Sequence, residues 1–261
     1  MICHRLAHIE TDECGAPEFF SSGSKLLIAD GAEGRIEASE IERLVHQRTD
    51  FHYPKPRVLS LTQATEVGTV YSVEGLRNLG ALAHGLGLTI HMDGARLANA
   101  LVSLGCEAAD ITWRAGVDVL CFGGTKNGLG IGEAVIFFNL ELAEEFEWRC
   151  KQGGQLASKM RFLSAPWLGL LKNDCWRQNA ANANAMAQRL ATGCQRLGLQ
   201  LLFPCQANSV FITLGKPQQE ALRQKGWRFY TFIGAGGCRF MCSWDTTAED
   251  VDTLLADLAT L

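Results

Sequence analysis

Between Arg57 and Phe138 the chain repeats one pattern, a strand-length apolar run followed by a stretch with helical spacing. Arg57–Thr62 reads as a strand behind a proline-containing loop. Val73–Gly85 reads as a helix: Leu76, Leu79, Leu82 and Ala83 share a face, Ser72 stands at the N-cap, and Gly85 and Gly87 end it. Leu88–Met92 is a short strand that stops at Asp93, and a helix follows over about Arg96–Leu104. Val117–Phe122 reads as the next strand and Glu133–Phe138 as a further buried one. Strands separated by helix-length crossovers pair in parallel and need helices over the sheet, so the pattern predicts an α/β domain with a mostly parallel sheet.

After Asn139 the pattern changes. Leu140–Cys150 reads as helical with Asn139 as cap, and helix-rich sequence runs on from about Leu156 to Arg196. Strands at Ser209–Leu214 and Arg239–Trp244 surround a helix near Gln218–Lys225. A last helix over Thr247–Leu258 has Thr246 and Glu249 spaced as a capping box. The change of pattern near residues 150–175 predicts two domains, drawn as a large α/β domain over 1–160 and a helical linker with a small α+β domain over 161–261. A chain of 261 residues has room for both.

Composition narrows the partners. Lys and Arg total 24 against 28 Asp and Glu, a net charge of −4, with no basic block to meet nucleic acid. Apolar runs such as Ala134–Phe138 fall far short of the ~20 residues of a membrane span. Glu10, Asp12 and Glu13 come too early for a signal-peptide core after Met1. The ten cysteines are scattered, form no CxxC pair, and in several cases sit in apolar runs. That usage predicts reduced thiols in a cytoplasmic protein with no metal site.

Two strand ends carry chemistry. Asp93 closes one strand in His91-Met92-Asp93-Gly94-Ala95-Arg96, and Lys126 follows another in Cys121-Phe122-Gly123-Gly124-Thr125-Lys126-Asn127-Gly128. Ligands of parallel α/β sheets collect at the carboxyl ends of strands, so an acid and a lysine are expected to face one crevice. Pyridoxal phosphate (PLP) chemistry uses that pair, a lysine for the cofactor aldehyde and a carboxylate for the pyridine nitrogen. Taken singly, an Asp-Gly step is also an ordinary turn and a glycine-rich lysine loop an ordinary surface loop.

The run Leu61-Thr62-Gln63-Ala64-Thr65-Glu66-Val67-Gly68-Thr69-Val70-Tyr71 resembles the threonine aldolase and β-eliminating lyase family. So do His91–Ala100, Gly124-Thr125-Lys126-Asn127-Gly128, Ser158-Lys159-Met160-Arg161-Phe162 and Arg239-Phe240, in that order over nearly the whole chain. The resemblance implies the aspartate-aminotransferase-like fold (fold type I) and PLP as cofactor. It implies retro-aldol cleavage of L-threonine, L-allo-threonine and like β-hydroxy-α-amino acids to glycine and an aldehyde. It makes Lys126 the Schiff-base lysine, Asp93 the partner of the ring nitrogen and His8 the ring-stacking residue. Arg239 becomes the clamp on the substrate carboxylate, with Arg96 near the ring and that carboxylate. Thr125 is expected either to bind the phosphate or to cap its loop. Lys159 is expected to reach the phosphate, a neighbouring subunit or solvent. The resemblance also implies a homo-oligomer, dimer or tetramer.

Two departures from the family pattern stand out. Many threonine aldolases carry a histidine near the position of Glu66, so the proton acceptor is left open among His8, Glu66 and a water. The family normally begins with a further segment whose Gly-Thr loop and helix N-terminus cradle the phosphate, and no such motif precedes His8. On that reading this chain lacks the usual N-terminal segment, being a fragment, a truncated product or a chain completed by another. Two alternatives to threonine cleavage stay open: another PLP-dependent β-elimination on the same fold, and a truncated, non-catalytic remnant or subunit.

Overall fold

The computed structural model describes residues 1–233 and 236–261. Six strands form the larger sheet: β1 (Ile2–His4), β2 (Leu27–Ala29), β3 (Val58–Thr62), β4 (Thr89–Gly94), β5 (Val119–Gly123) and β6 (Glu133–Phe137). Their spatial order is β2-β1-β3-β4-β5-β6. The first five pair in parallel, and only β6 runs antiparallel, against β5. The mostly parallel α/β sheet is as expected.

The helices of this part are α1 (His8–Thr11), α2 (Ala16–Phe20), α3 (Ala38–His46), α4 (Val73–Gly85) and α5 (Leu97–Leu104). The hydroxyl of Ser72 accepts from the Gly75 N–H at 3.0 Å and starts α4 where the sequence places it. Leu76, Leu79 and Ala83 of α4 are buried against the sheet with Leu59, Ile90 and Met92. Each such leucine or isoleucine contributes about 1.5–3 kcal/mol on burial.

Beyond the sheet come α6 (Phe146–Gln152), α7 (Arg161–Leu171) and the 22-residue α8 (Cys175–Arg196). A second sheet, order β7-β9-β8, is built from β7 (Ser209–Thr213), β8 (Tyr230–Ile233) and β9 (Gly237–Met241), with α9 (Lys216–Gln224) and α10 (Ala248–Leu258). Helix α8 serves both cores. Trp176 and Ala180 at its start pack with the large sheet, whereas Ala187, Leu190 and Cys194 pack with β7, β9 and α10. No helix among the described residues is long and apolar enough to cross a membrane.

Several expectations need correction. The β6 strand is an edge strand, not a buried one, and Val135 on it is 40% exposed. As an edge strand it packs one face on the core, through Ala134 and Ile136, and leaves the other open, so its apolar run does not report burial on both faces. The stretch after Asn139 is a 3-10 turn, Leu140–Ala143, capped by the Asn139 side-chain amide oxygen, and α6 begins only at Phe146. The capping box of α10 lies one residue on, with Thr247 and Asp250 exchanging hydrogen bonds. Strands β1, β2 and β8 and helices α1 to α3 stand where no element was predicted.

Candidate active site

Parallel pairing aligns Thr62, Asp93 and Cys121 in one row at the carboxyl ends of β3, β4 and β5. Asp93 is fixed there by its own turn, its Oδ1 accepting from the Ala95 N–H at 2.9 Å. The turn after Asp93 and the loop after β5 are pressed together. A methyl group at Gly123 would lie 2.5 Å from the Ala95 carbonyl oxygen, so glycine there lets the two loops touch. Lys126 follows in a 3-10 turn, Thr125–Asn127, ended by Gly128 at φ 95°. Buried Asn127 anchors this turn, donating to the Trp176 carbonyl at 2.8 Å and accepting from Asn179 through its own carbonyl at 2.9 Å.

The expected acid and lysine do meet. A cavity of about 510 Å³ is lined by Asp93 and Lys126, with His8, His91, Cys121 and Glu133 among its other walls. Partial burial and the nearby Arg96 push the Lys126 amine below its ordinary range, which favours a free, nucleophilic amine. His8 sits at the start of α1 with Nδ1 2.8 Å from the Glu13 carboxylate, a contact that orients the ring and leaves Nε2 toward other partners.

Glu66 belongs to a loop locked by buried polar groups. Gln63 both donates to and accepts from the Tyr71 backbone at 3.0 Å, and the Thr65 and Thr69 hydroxyls meet at 2.7 Å. Glu66 Oε1 accepts from the His8 N–H at 2.9 Å, which joins this loop to α1. Its Oε2 is buried with no hydrogen-bond partner among the described residues, and burial lifts the carboxyl above its usual range.

Arg96 and Arg239 form a second, cationic group. Burial, aided by the like charge of Arg239, lowers Arg96 to about 10. Burial also lowers Arg239, whose guanidinium lies over Phe232 at 4.7 Å and Tyr230 at 5.7 Å from the ring centroids. The Nε of each arginine is buried and without a hydrogen-bond partner among the described residues. Two desolvated guanidinium groups in mutual repulsion, each with an unused donor, are the arrangement an anionic ligand would relieve.

Thr125, expected at the phosphate or as a loop cap, uses its donors within the loop. Its N–H goes to Glu133 at 3.2 Å and its hydroxyl to the Gly132 carbonyl at 3.3 Å, as a cap would. Lys159 is exposed before α7 at a left-handed φ of 60° and is not part of the cavity wall. The sequence reading missed Glu133, which also accepts from the Gly124 N–H at 3.0 Å, and Glu13. His91 and Cys121 stood out in the sequence only as parts of motifs. The spacing of two between His91 and Asp93, and the opposite face taken by the core residue Phe122 next to Cys121, were the available signals that both side chains face the cavity.

The residues fit a PLP site: a lysine of lowered basicity and a fixed carboxylate share one cavity, and buried arginines with unused donors lie close by. Among the described residues no cluster of His, Cys, Asp and Glu is grouped to hold a metal ion.

Known proteins resemble this chain in sequence and in fold. The sequence model of the β-eliminating lyase family matches residues 1–216. A low specificity L-threonine aldolase of Pseudomonas sp. (strain NCIMB 10558) is 58% identical over 259 residues, 99% of this chain and 75% of that protein. The Leishmania major threonine aldolase structure superposes with a TM-score of 0.92 at 30% identity, covering 99% of this chain and 76% of that one. A serine palmitoyltransferase of S. paucimobilis with bound PLP shares the fold at a TM-score of 0.67 and 14% identity, over 99% of this chain and 65% of its own.

Proposed function

The chain belongs to the β-eliminating lyase family, and from that premise we propose that it is a PLP-dependent aldehyde-lyase of fold type I. Its substrates are L-threonine and L-allo-threonine, cleaved between Cα and Cβ to glycine and acetaldehyde. The observation that carries the reading is the pair of buried, unpaired guanidinium donors of Arg96 and Arg239 close to the Asp93–Lys126 cavity.

Lys126 would hold the cofactor through its amine, Asp93 would face the ring nitrogen and His8 the ring. When bound, PLP supplies an electron-poor ring that accepts the electron pair of the broken Cα–Cβ bond. Arg239 and Arg96 take the substrate carboxylate, a planar anion that suits two guanidinium groups. Held there, the amino acid has a fixed rotation about Cα, and that rotation selects the bond to be broken.

The β-hydroxyl must lose its proton as the new carbonyl forms. His8 Nε2 and Glu66 Oε2 are the two candidate acceptors, directly or through a water between them. His8 is oriented by Glu13, and Glu66 Oε2 has no hydrogen-bond partner among the described residues. A proton returned to Cα completes glycine, and the β-carbon leaves as the aldehyde.

The ten cysteines are all free thiols in the structure, which suits a reducing, cytoplasmic setting. We assign the enzyme a homo-oligomeric state as well. Exposed Trp148 on α6 and exposed Phe162, Leu168 and Leu171 on α7 support it as apolar surface open to a second copy.

The test is a product assay on PLP-loaded protein. L-threonine and L-allo-threonine should give acetaldehyde and glycine in equal amounts. Pyruvate and ammonia from other β-substituted amino acids, with no acetaldehyde from threonine, would transfer the chain to the β-elimination alternative.

A further inference from the structure

Three side chains form a hydrogen-bonded row at the cavity, two of them lining it, that the mechanism above leaves unused. Ser60 on β3 is buried, and its Oγ lies 2.9 Å from His91 Nδ1. The other ring nitrogen, His91 Nε2, lies 3.4 Å from Cys121 Sγ on β5. The row is built into the pairing register, which sets Ser60 beside His91 and Cys121 beside Asp93. His91 and Cys121 both line the cavity, two residues before Asp93 and directly beside it.

We propose that His91 is a positioning residue for the cofactor site. Bridging Ser60 and Cys121 as a neutral imidazole, it fixes the floor beside Asp93 and adds no cation of its own next to that carboxylate. The inference rests on the PLP reading above. With a neutral ring one nitrogen donates and the other accepts. Hydroxyl and thiol can each play either part, so both tautomers complete the row.

Charge accounts agree with the geometry. Burial lowers the His91 pKa against the opposing pull of Asp93, so the ring stays neutral at neutral pH. The Cys121 thiol is pushed up to about 11 by burial and by Asp93 and Glu133, so it remains protonated and a weak hydrogen-bonding partner. The titratable and polar groups that share this site with His91 are Asp93 on its own strand, Ser60 and Cys121 on the neighbours, and His8, Glu13, Lys126 and Glu133 around the cavity. A neutral floor leaves the Asp93 charge to be met by the ring nitrogen of the cofactor. A protonated His91 would compete for it.

The experiment compares wild-type protein with His91→Gln and His91→Leu. The readouts are the PLP dissociation constant and the pH midpoint of the visible band of the loaded protein. Leucine removes both hydrogen bonds and should weaken PLP binding about tenfold, the order expected from one or two lost hydrogen bonds, and shift the midpoint. Glutamine is neutral and can donate and accept, and should restore both readouts to near wild type. Leu and Gln variants that both match wild type would reduce His91 to packing and overturn the proposal. Equal losses in both would overturn the hydrogen-bonded bridge. Should the leucine variant not fold, Ser60→Ala and Cys121→Ala each remove one end of the row. A few-fold loss in each supports it, and wild-type binding in both overturns it. Absence of any PLP band at Lys126 in the wild type would count against the PLP reading itself, not against the role of His91.

Discussion

Gly123→Ala tests how closely the two active-site loops are pressed together. The added methyl would sit 2.5 Å from the Ala95 oxygen, 2.6 Å from its Cα and 2.7 Å from its carbonyl carbon. Ordinary contact begins near 3.4 Å, so the loops must part by almost 1 Å, and all three atoms are backbone. No rotamer change relieves that clash. Overpacking of this kind costs about 1–3 kcal/mol. In a chain of this length that corresponds to a melting temperature lower by very roughly 2–12 °C. The larger effect falls on function, because the same displacement separates Asp93 from Lys126. A misplacement of about 1 Å costs on the order of 100-fold in kcat/KM. The control is Gly85→Ala at the end of α4, where nothing lies within 4 Å of the new methyl, and alanine should be neutral or stabilise by up to about 1 kcal/mol. Thermal melts and threonine-cleavage rates of the two variants decide the matter. If Gly123→Ala matched Gly85→Ala in both, the loops would not be held by that contact and the reasoning would be refuted.

Three further outcomes follow from the site. Arg239→Lys keeps the charge but loses the planar fork and its stacking on Phe232, so KM for threonine should rise by about 10-fold or more, read from steady-state kinetics. Burial raises the Glu66 carboxyl, so the folded state holds a proton that the unfolded chain releases, and that contribution to stability is lost as pH rises through the folded value. Glu66→Gln should therefore gain stability relative to wild type as pH rises above the ordinary carboxylate range, and an unchanged difference in urea unfolding across that rise would contradict the shift. Asn127→Ala removes the buried donor to the Trp176 carbonyl and should cost about 1–3 kcal/mol in urea unfolding while weakening PLP binding through Lys126.

Much of this site was legible in the sequence because parallel α/β folds gather chemistry at strand ends, and Asp93 and Lys126 each follow an apolar run. Helix α4 was legible for local reasons, its Ser72 cap and its apolar spacing. Strands β1 and β2 were not, because each has three residues and takes its stability from neighbours distant in sequence. The position of β6 was misjudged for a related reason, since an apolar run does not say whether a strand ends up central or at an edge. The Glu13 contact with His8 and the Glu133 contacts with Gly124 and Thr125 were invisible beforehand, because each depends on a turn whose geometry no spacing rule encodes. The Ser60–His91–Cys121 row needs the pairing register as well as the side chains, and register is a property of the folded sheet.

The measurement that bears most directly on the account is borohydride trapping of PLP on the purified chain, followed by peptide mapping. A Schiff-base Lys126 gives a visible absorption band on titration with PLP, a single stoichiometric label on the peptide carrying Lys126, and loss of both in Lys126→Ala. Label spread over surface lysines, or a band that persists in Lys126→Ala, would contradict it.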